Sequence, residues 1–244
     1  MKVLIAEDLQ PMRQHAAQLV QTYLTEPIEI LETDSGTKAL ELDEQHNPDF
    51  VILDISMPDL SGIKVAEKIW SRAPRRKILF WSQYSREAHV RELGKIVPDE
   101  AIHGYLLKSE SDEVFGHALR SIVNLDNPYI SAQIRGVSSK ITSKDSSLSD
   151  VEYATLIDLT MGLTDKAIAR RHQISVRGAQ NRIGILFSKL LQGEDGYYQE
   201  LAGMEIFSPR TRAAFVTFSR GLLDPDSIPA LETELKKWLA QEFE

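Results

Sequence analysis

The chain has 244 residues, enough for two domains of ordinary size, and its 42% hydrophobic and 26% charged residues sit near the average of folded globular proteins. That balance excludes wholesale disorder, collagen-like repeats and a continuous coiled coil. The absence of cysteine excludes disulfide scaffolds, thiolate zinc sites and cysteine nucleophiles, and the net charge is −8. No apolar run reaches the roughly 18–20 residues that a membrane helix needs. Glu7 and Asp8 come too early for a secretory leader. The expectation is a cytoplasmic protein with no membrane partner.

Taken in chain order, short apolar runs occur at Val3–Ala6, Ile28–Leu31, Phe50–Leu53, Ile78–Trp81 and Tyr105–Leu107. Their brevity and their aliphatic and aromatic content suit strands buried on both faces of a parallel sheet. Between and after them, windows 11–24, 37–45, 63–72, 86–96 and 111–124 have helical spacing. Five strand–helix units over 1–124 predict a doubly wound α/β sheet with right-handed crossovers. Residues 125–147 read as a serine-rich linker, with a short helix over Tyr129–Ile134 as an option. From Ser149 the pattern is helical. Ser149 and Glu152 have capping-box spacing, Gly162 marks a stop, and Thr164 and Ser175 can cap two further helices, the last running to Leu191 and stopped at Gly193. Residues 148–192 therefore read as a helix-turn-helix domain, and 193–244 as a helical extension with an apolar stripe through Leu235, Trp238 and Leu239. Residues 149–192 hold six Lys and Arg against four Asp and Glu, whereas 193–244 hold five against ten. A short basic segment beside an acidic tail hints at nucleic-acid contact, and the tail can compete for it.

Open parallel sheets bind ligands outside the carboxyl ends of their strands. Here those ends carry Glu7 and Asp8, Asp54, Ser82 and Lys108. In the common order 2-1-3-4-5, strands one and three are neighbours, so three carboxylates crowd one pocket. Like charges that close call for a cation, and hard oxygen ligands in a pocket that keeps waters suit Mg²⁺. The fitting chemistry is phosphoryl transfer onto Asp54, with Lys108 and the cation neutralising the transferred group and Ser82 hydrogen-bonding it.

Val3-Leu4-Ile5-Ala6-Glu7-Asp8, Asp49 through Gly62 (DFVILDISMPDLSG) and Gly104-Tyr105-Leu106-Leu107-Lys108 resemble the receiver domain of bacterial two-component response regulators. The resemblance implies a flavodoxin-like receiver with Asp54 as phosphoacceptor. It implies Glu7, Asp8, Asp54 and the backbone carbonyl of Ser56 as Mg²⁺ ligands, Ser82 and Lys108 as phosphoryl ligands, and Ser82 with Tyr105 as the switch pair. It also implies a sensor histidine kinase or a small phosphodonor as partner, and a regulator rather than an enzyme. Gln83 stands where the family usually has Ala or Gly, a departure that can narrow access to Asp54.

Residues 148–191 resemble the LuxR/NarL-type helix-turn-helix output domain through Leu148-Ser149, Gly162-Leu163-Thr164-Asp165-Lys166-Ala167-Ile168-Ala169, Ile174-Ser175 and Lys189-Leu190. Arg177, Gln180, Asn181 and Arg182 are the candidate contacts to double-stranded DNA, with Arg170-Arg171 on the preceding helix. The family's usual Thr-Val-Lys is replaced by Gly178-Ala179-Gln180, and Gly184 falls near another frequent contact position. The expected function is a transcriptional regulator in which phosphorylation of Asp54 controls homodimerisation and DNA binding. The alternative is a protein-interaction regulator whose helix-turn-helix no longer binds DNA.

Overall fold

A computed structural model describes residues 1–142, 148–191 and 208–243. The chain divides into a first unit, Met1–Ser85 with His89–Gly136, and a second built mainly from Val137–Glu244. No helix among the described residues is long and apolar enough to cross a membrane.

The first unit alternates strand and helix: β1 Lys2–Ala6, α1 Gln10–Tyr23, β2 Glu29–Thr33, α2 Gly36–His46, β3 Phe50–Leu53, α3 Gly62–Arg72, β4 Lys77–Ser82, α4 Glu87–Ile96, β5 His103–Leu107 and α5 Asp112–Leu119. The last helix widens into a π-turn at Arg120–Asn124. With a sixth strand, β6 Tyr129–Ile130, at the edge, all strands pair in parallel in the order β2-β1-β3-β4-β5-β6, a flavodoxin-like sheet. Successive side chains point to opposite faces of a strand. Leu4, Val51, Phe80 and Tyr105 therefore join one core with Ile63, Ile69 and Trp70 of α3. Val3, Ile5, Ile52, Leu79 and Leu106 join another with Leu19 and Val20 of α1 and Phe115 and Leu119 of α5.

The sixth strand, β6 Tyr129–Ile130, departs from the expected five-stranded sheet and from the optional helix over 129–134. Tyr129 pairs with Gly104 and Ile130 with Tyr105. A Cβ on Gly104 would lie 2.6 Å from Ile122 Cδ1 and 3.0 Å from the Tyr129 carbonyl oxygen, so the missing side chain lets this edge close. The amide of Ser131 then donates to the Tyr105 carbonyl at 3.0 Å, and helix α6, Ala132–Thr142, follows.

In the second unit the capping signals act as expected. The Ser149 side chain accepts from the Glu152 amide and Glu152 returns the bond, starting α7, Asp150–Thr160. Gly162 has φ +87°, which ends that segment without steric cost. Thr164 caps α8, Asp165–Arg171, and Ser175 accepts from the Gly178 amide at the start of α9, Val176–Leu191. The expected stop at Gly193 lies outside the described residues. Helix α10, Pro209–Ser219, and helix α11, Ile228–Phe243, follow. Ala213, Val216 and Leu222 sit in the same core as Leu156, Ile168, Ile183 and Leu186, with Leu235 and Trp238 against it. The stretch from α10 to α11 thus supplies core to the helix-turn-helix. Phe215 and Phe218, by contrast, face outward.

Candidate functional site

The pocket begins in the backbone. The sheet's hydrogen bonding runs one residue past β1 and β3, because the Asp54 amide donates to the Ala6 carbonyl at 2.8 Å and the Glu7 amide to the Thr33 carbonyl at 3.0 Å. This register sets Glu7 and Asp54 side by side. One carboxylate oxygen from each of Glu7, Asp8 and Asp54 lies within 4.8 Å of the others. Gly62 closes the loop beneath them. Its amide donates to the Ile55 carbonyl at 3.0 Å, and a Cβ there would fall into the Asp54 carbonyl oxygen.

Lys108, the first residue after β5, is fixed by its own amide, which donates to the Ser82 carbonyl at 2.8 Å. Its Nζ reaches Glu7 Oε2 at 2.6 Å and Asp54 Oδ2 at 3.1 Å, with all three side chains no more than 5% exposed. One ammonium against three carboxylates leaves the pocket negative. Burial, and next the Asp54 charge, push the Glu7 carboxyl up to about 7, against the opposing pull of Lys108. Clustered hard oxygens with a residual negative charge fit a divalent cation such as Mg²⁺. Ser56, two residues past Asp54, is half-buried, and its hydroxyl has no hydrogen-bond partner among the described residues.

Ser82, the last residue of β4, is fully buried, and its Oγ accepts from the Tyr84 amide at 3.2 Å. Tyr105 is 2% exposed, its ring turned inward against Phe80, and its hydroxyl donates to the Tyr84 carbonyl at 2.8 Å. Gln83 and Tyr84 are exposed. Of the receiver-side residues expected from sequence, Glu7, Asp8, Asp54 and Lys108 share one cluster, while Ser82 and Tyr105 are linked to each other through Tyr84.

Two residues near the site carry roles that the sequence reading did not assign. Arg13 on α1 donates from Nη1 to the Glu7 carbonyl at 2.6 Å and pairs with Glu32 at 3.7 Å. Asp59 accepts from Ser35 Oγ at 2.7 Å, the Gly36 amide at 2.9 Å and the Thr37 amide at 2.8 Å, tying the loop after β3 to the start of α2. Its slight burial works the other way, but these bonds hold its carboxyl well below the usual carboxylate range. Its place in the run Pro58-Asp59-Leu60-Ser61-Gly62 was the available signal.

On α9 the buried residues are Ala179, Ile183, Leu186 and Leu190. Arg177, Gln180, Asn181 and Gly184 are exposed on the other side, and Arg182 is half-buried. The arginines of α8 are engaged: Arg170 pairs with Glu242 at 3.5 Å, and Arg171 with Asp158 at 3.2 Å and Glu234 at 2.8 Å. Two of these acids belong to α11, so that helix lies against α8.

Residues 3–120 match the response regulator receiver domain. The chain is 27% identical over 206 residues to the transcriptional regulatory protein LnrK of Bacillus subtilis, covering 78% of this chain and 90% of that one. It is 26% identical over 236 residues to the transcriptional regulatory protein YdfI of the same organism, covering 93% and 99%. Among solved structures, RcsB of Salmonella enterica serovar Typhimurium, bound to a promoter with phosphomimetic BeF3-, superposes with a TM-score of 0.58 at 19% identity, covering 78% of this chain and 91% of that one. That likeness is one of fold. With the acidic pocket, its lysine and the parallel sheet in place, residues 3–120 form a response regulator receiver domain.

Proposed function

We propose that the chain is a transcriptional response regulator that accepts a phosphoryl group on Asp54. The observation that carries this reading is the convergence of Glu7, Asp8 and Asp54 around the Lys108 ammonium. A carboxylate oxygen of Asp54 attacks phosphorus, and the bond from phosphorus to the donor's nitrogen or oxygen breaks with its electron pair leaving on the donor. The donor is a phosphohistidine of a sensor kinase or a small phosphorylated molecule. Lys108 moves its charge from the carboxylates to the phosphoryl oxygens. The Ser82 hydroxyl accepts from Tyr84 and gives its own hydrogen to no described residue, so that hydrogen is available to a phosphoryl oxygen. Mg²⁺ held by Glu7, Asp8, Asp54 and the Ser56 carbonyl would neutralise charge on the transferred group.

Phosphorylation draws Ser82 and Tyr105 into a second arrangement, which favours a homodimer and binding of double-stranded DNA through α9. Arg177 and Arg182 meet phosphates, while Gln180 and Asn181 read base edges. The DNA-bound relative of like fold and the two transcriptional regulatory proteins support this reading. The cytoplasm is its compartment, and no turnover of a released substrate is assigned to it.

The test is selection of bound duplexes from a random pool by the full chain, with and without beryllofluoride and Mg²⁺. Enriched sites confined to the activated sample are the expected result. The pairing of Arg170 and Arg171 with acids of α11 favours a second reading, a protein-interaction regulator with no DNA site. Absence of enrichment in both samples gives that reading.

A further inference from the structure

Asp158 on α7 is a buried carboxylate, 4% exposed, and such a charge is tolerated only when paired. Its Oδ1 meets Arg171 Nη1 at 3.2 Å, and its Oδ2 meets His172 Nε2 at 2.8 Å. On the far side of the same ring, His172 Nδ1 lies 3.2 Å from Nη1 of Arg182 on α9. A guanidinium can only donate, so Nδ1 is the acceptor and Nε2 carries the hydrogen given to Asp158. The carboxylate fixes the ring, and the ring fixes the arginine. Across this line the three helices α7, α8 and α9 meet.

Arg182 differs from the arginines of α8. Arg170 and Arg171 have acidic partners, whereas no carboxylate among the described residues pairs with Arg182. One of its N–H groups goes to the imidazole, and no other side chain among the described residues takes the rest. It follows Asn181 on the helix that exposes Arg177, Gln180 and Asn181. A guanidinium that is held in place and uncompensated is a preorganised anion ligand, with the fork geometry that suits a phosphate.

We infer that Asp158 and His172 are positioning residues, holding the Arg182 guanidinium ready for one phosphate of a DNA duplex laid along α9. This rests on the DNA-binding reading above. A network that merely clamps three helices together would predict lost stability with no change in how binding responds to salt.

The experiment measures anisotropy of a labelled duplex against salt, using the full chain with beryllofluoride and Mg²⁺. The variants are R177A, R182A, H172A and the H172A/R182A pair. R182A is expected to weaken binding several-fold and to lower the salt slope by about one. H172A should reproduce most of that loss, and the double variant should bind no worse than R182A alone, while R177A should add independently. D158N should fall with H172A. If H172A fails to fold, H172M fills the same space without an imidazole acceptor for Arg182, and its slope is read the same way. A wild-type salt slope in H172A or H172M, or a loss that adds in full to that of R182A, overturns the inference and leaves the DNA reading standing. Absence of salt-dependent binding by the unaltered chain overturns both.

Discussion

Ser82 and Tyr105 are joined by the backbone of one residue, Tyr84, whose amide donates to the serine hydroxyl and whose carbonyl accepts from the tyrosine hydroxyl. A ligand that draws the serine toward Asp54 therefore pulls on the tyrosine through a single residue of chain. Tyr105→Phe keeps the ring and removes the second link. Loss of this hydrogen bond should cost about 1 kcal/mol in denaturant unfolding. Beryllofluoride should still bind, followed by tryptophan fluorescence, but the change it produces in DNA affinity should shrink. An undiminished change would show that Tyr84 does not couple the pair.

Glu7 makes the receiver pocket pH-dependent, with a definite sign. Its carboxyl is pushed from an ordinary value of 4.5 up to about 7. Between those values the unfolded chain has released the proton and the folded chain has kept it, so stability falls as pH rises from about 4.5 to about 7 and then levels. Thermal melting without divalent cations should show that fall, and Glu7→Gln should lack it. Because Mg²⁺ needs the deprotonated form, its affinity should climb with pH through the same window. Asp54→Asn removes the second cause of the shift and should move Glu7 back toward its ordinary value.

Asp59 has the opposite sign. Its bonds to Ser35, Gly36 and Thr37 favour the charged form. Their contribution is complete at neutral pH and is lost as acid carries the solution down through the pH range below its ordinary value. Asp59→Ala removes a cap from α2 and should destabilise the first unit by about 1 kcal/mol at pH 7. Chemical denaturation at pH 7 and again in strong acid checks both statements, since the difference should narrow in acid.

Gly104→Ala should cost about 1–3 kcal/mol through overpacking. The new methyl group meets Ile122, Leu79 and the Tyr129 carbonyl. Amide exchange should report the damage locally, with faster exchange at Ile130 and Ser131 than elsewhere in the sheet.

The parts of the fold that were legible in sequence are those written locally. Val3–Ala6 and Phe50–Leu53 announce themselves as strands because every side chain is apolar and every side chain is buried. The Ser149–Glu152 box can be read because both bonds span three residues. The pocket was legible because parallel strands deliver their ends to one side. Strand β6 was not, since two residues have no period and their pairing depends on a missing side chain twenty-five positions earlier. The link from Asp158 through His172 to Arg182 was equally hidden. His172 reads as an ordinary surface or core residue until α7 and α9 are brought against it. Nor did composition tell an appended tail from one that supplies Ala213, Val216 and Leu222 to the core.

That last arrangement changes what a deletion can mean. Cutting the chain after Gln192 would strip the helix-turn-helix of apolar side chains that cover Leu156 and Leu186, so loss of DNA affinity in such a fragment would reflect unfolding as much as a missing contact. A backbone nick between residues 192 and 207 is a different operation, because both pieces keep their halves of the apolar interior. The two fragments should co-purify, held by the apolar side chains that each contributes to that interior.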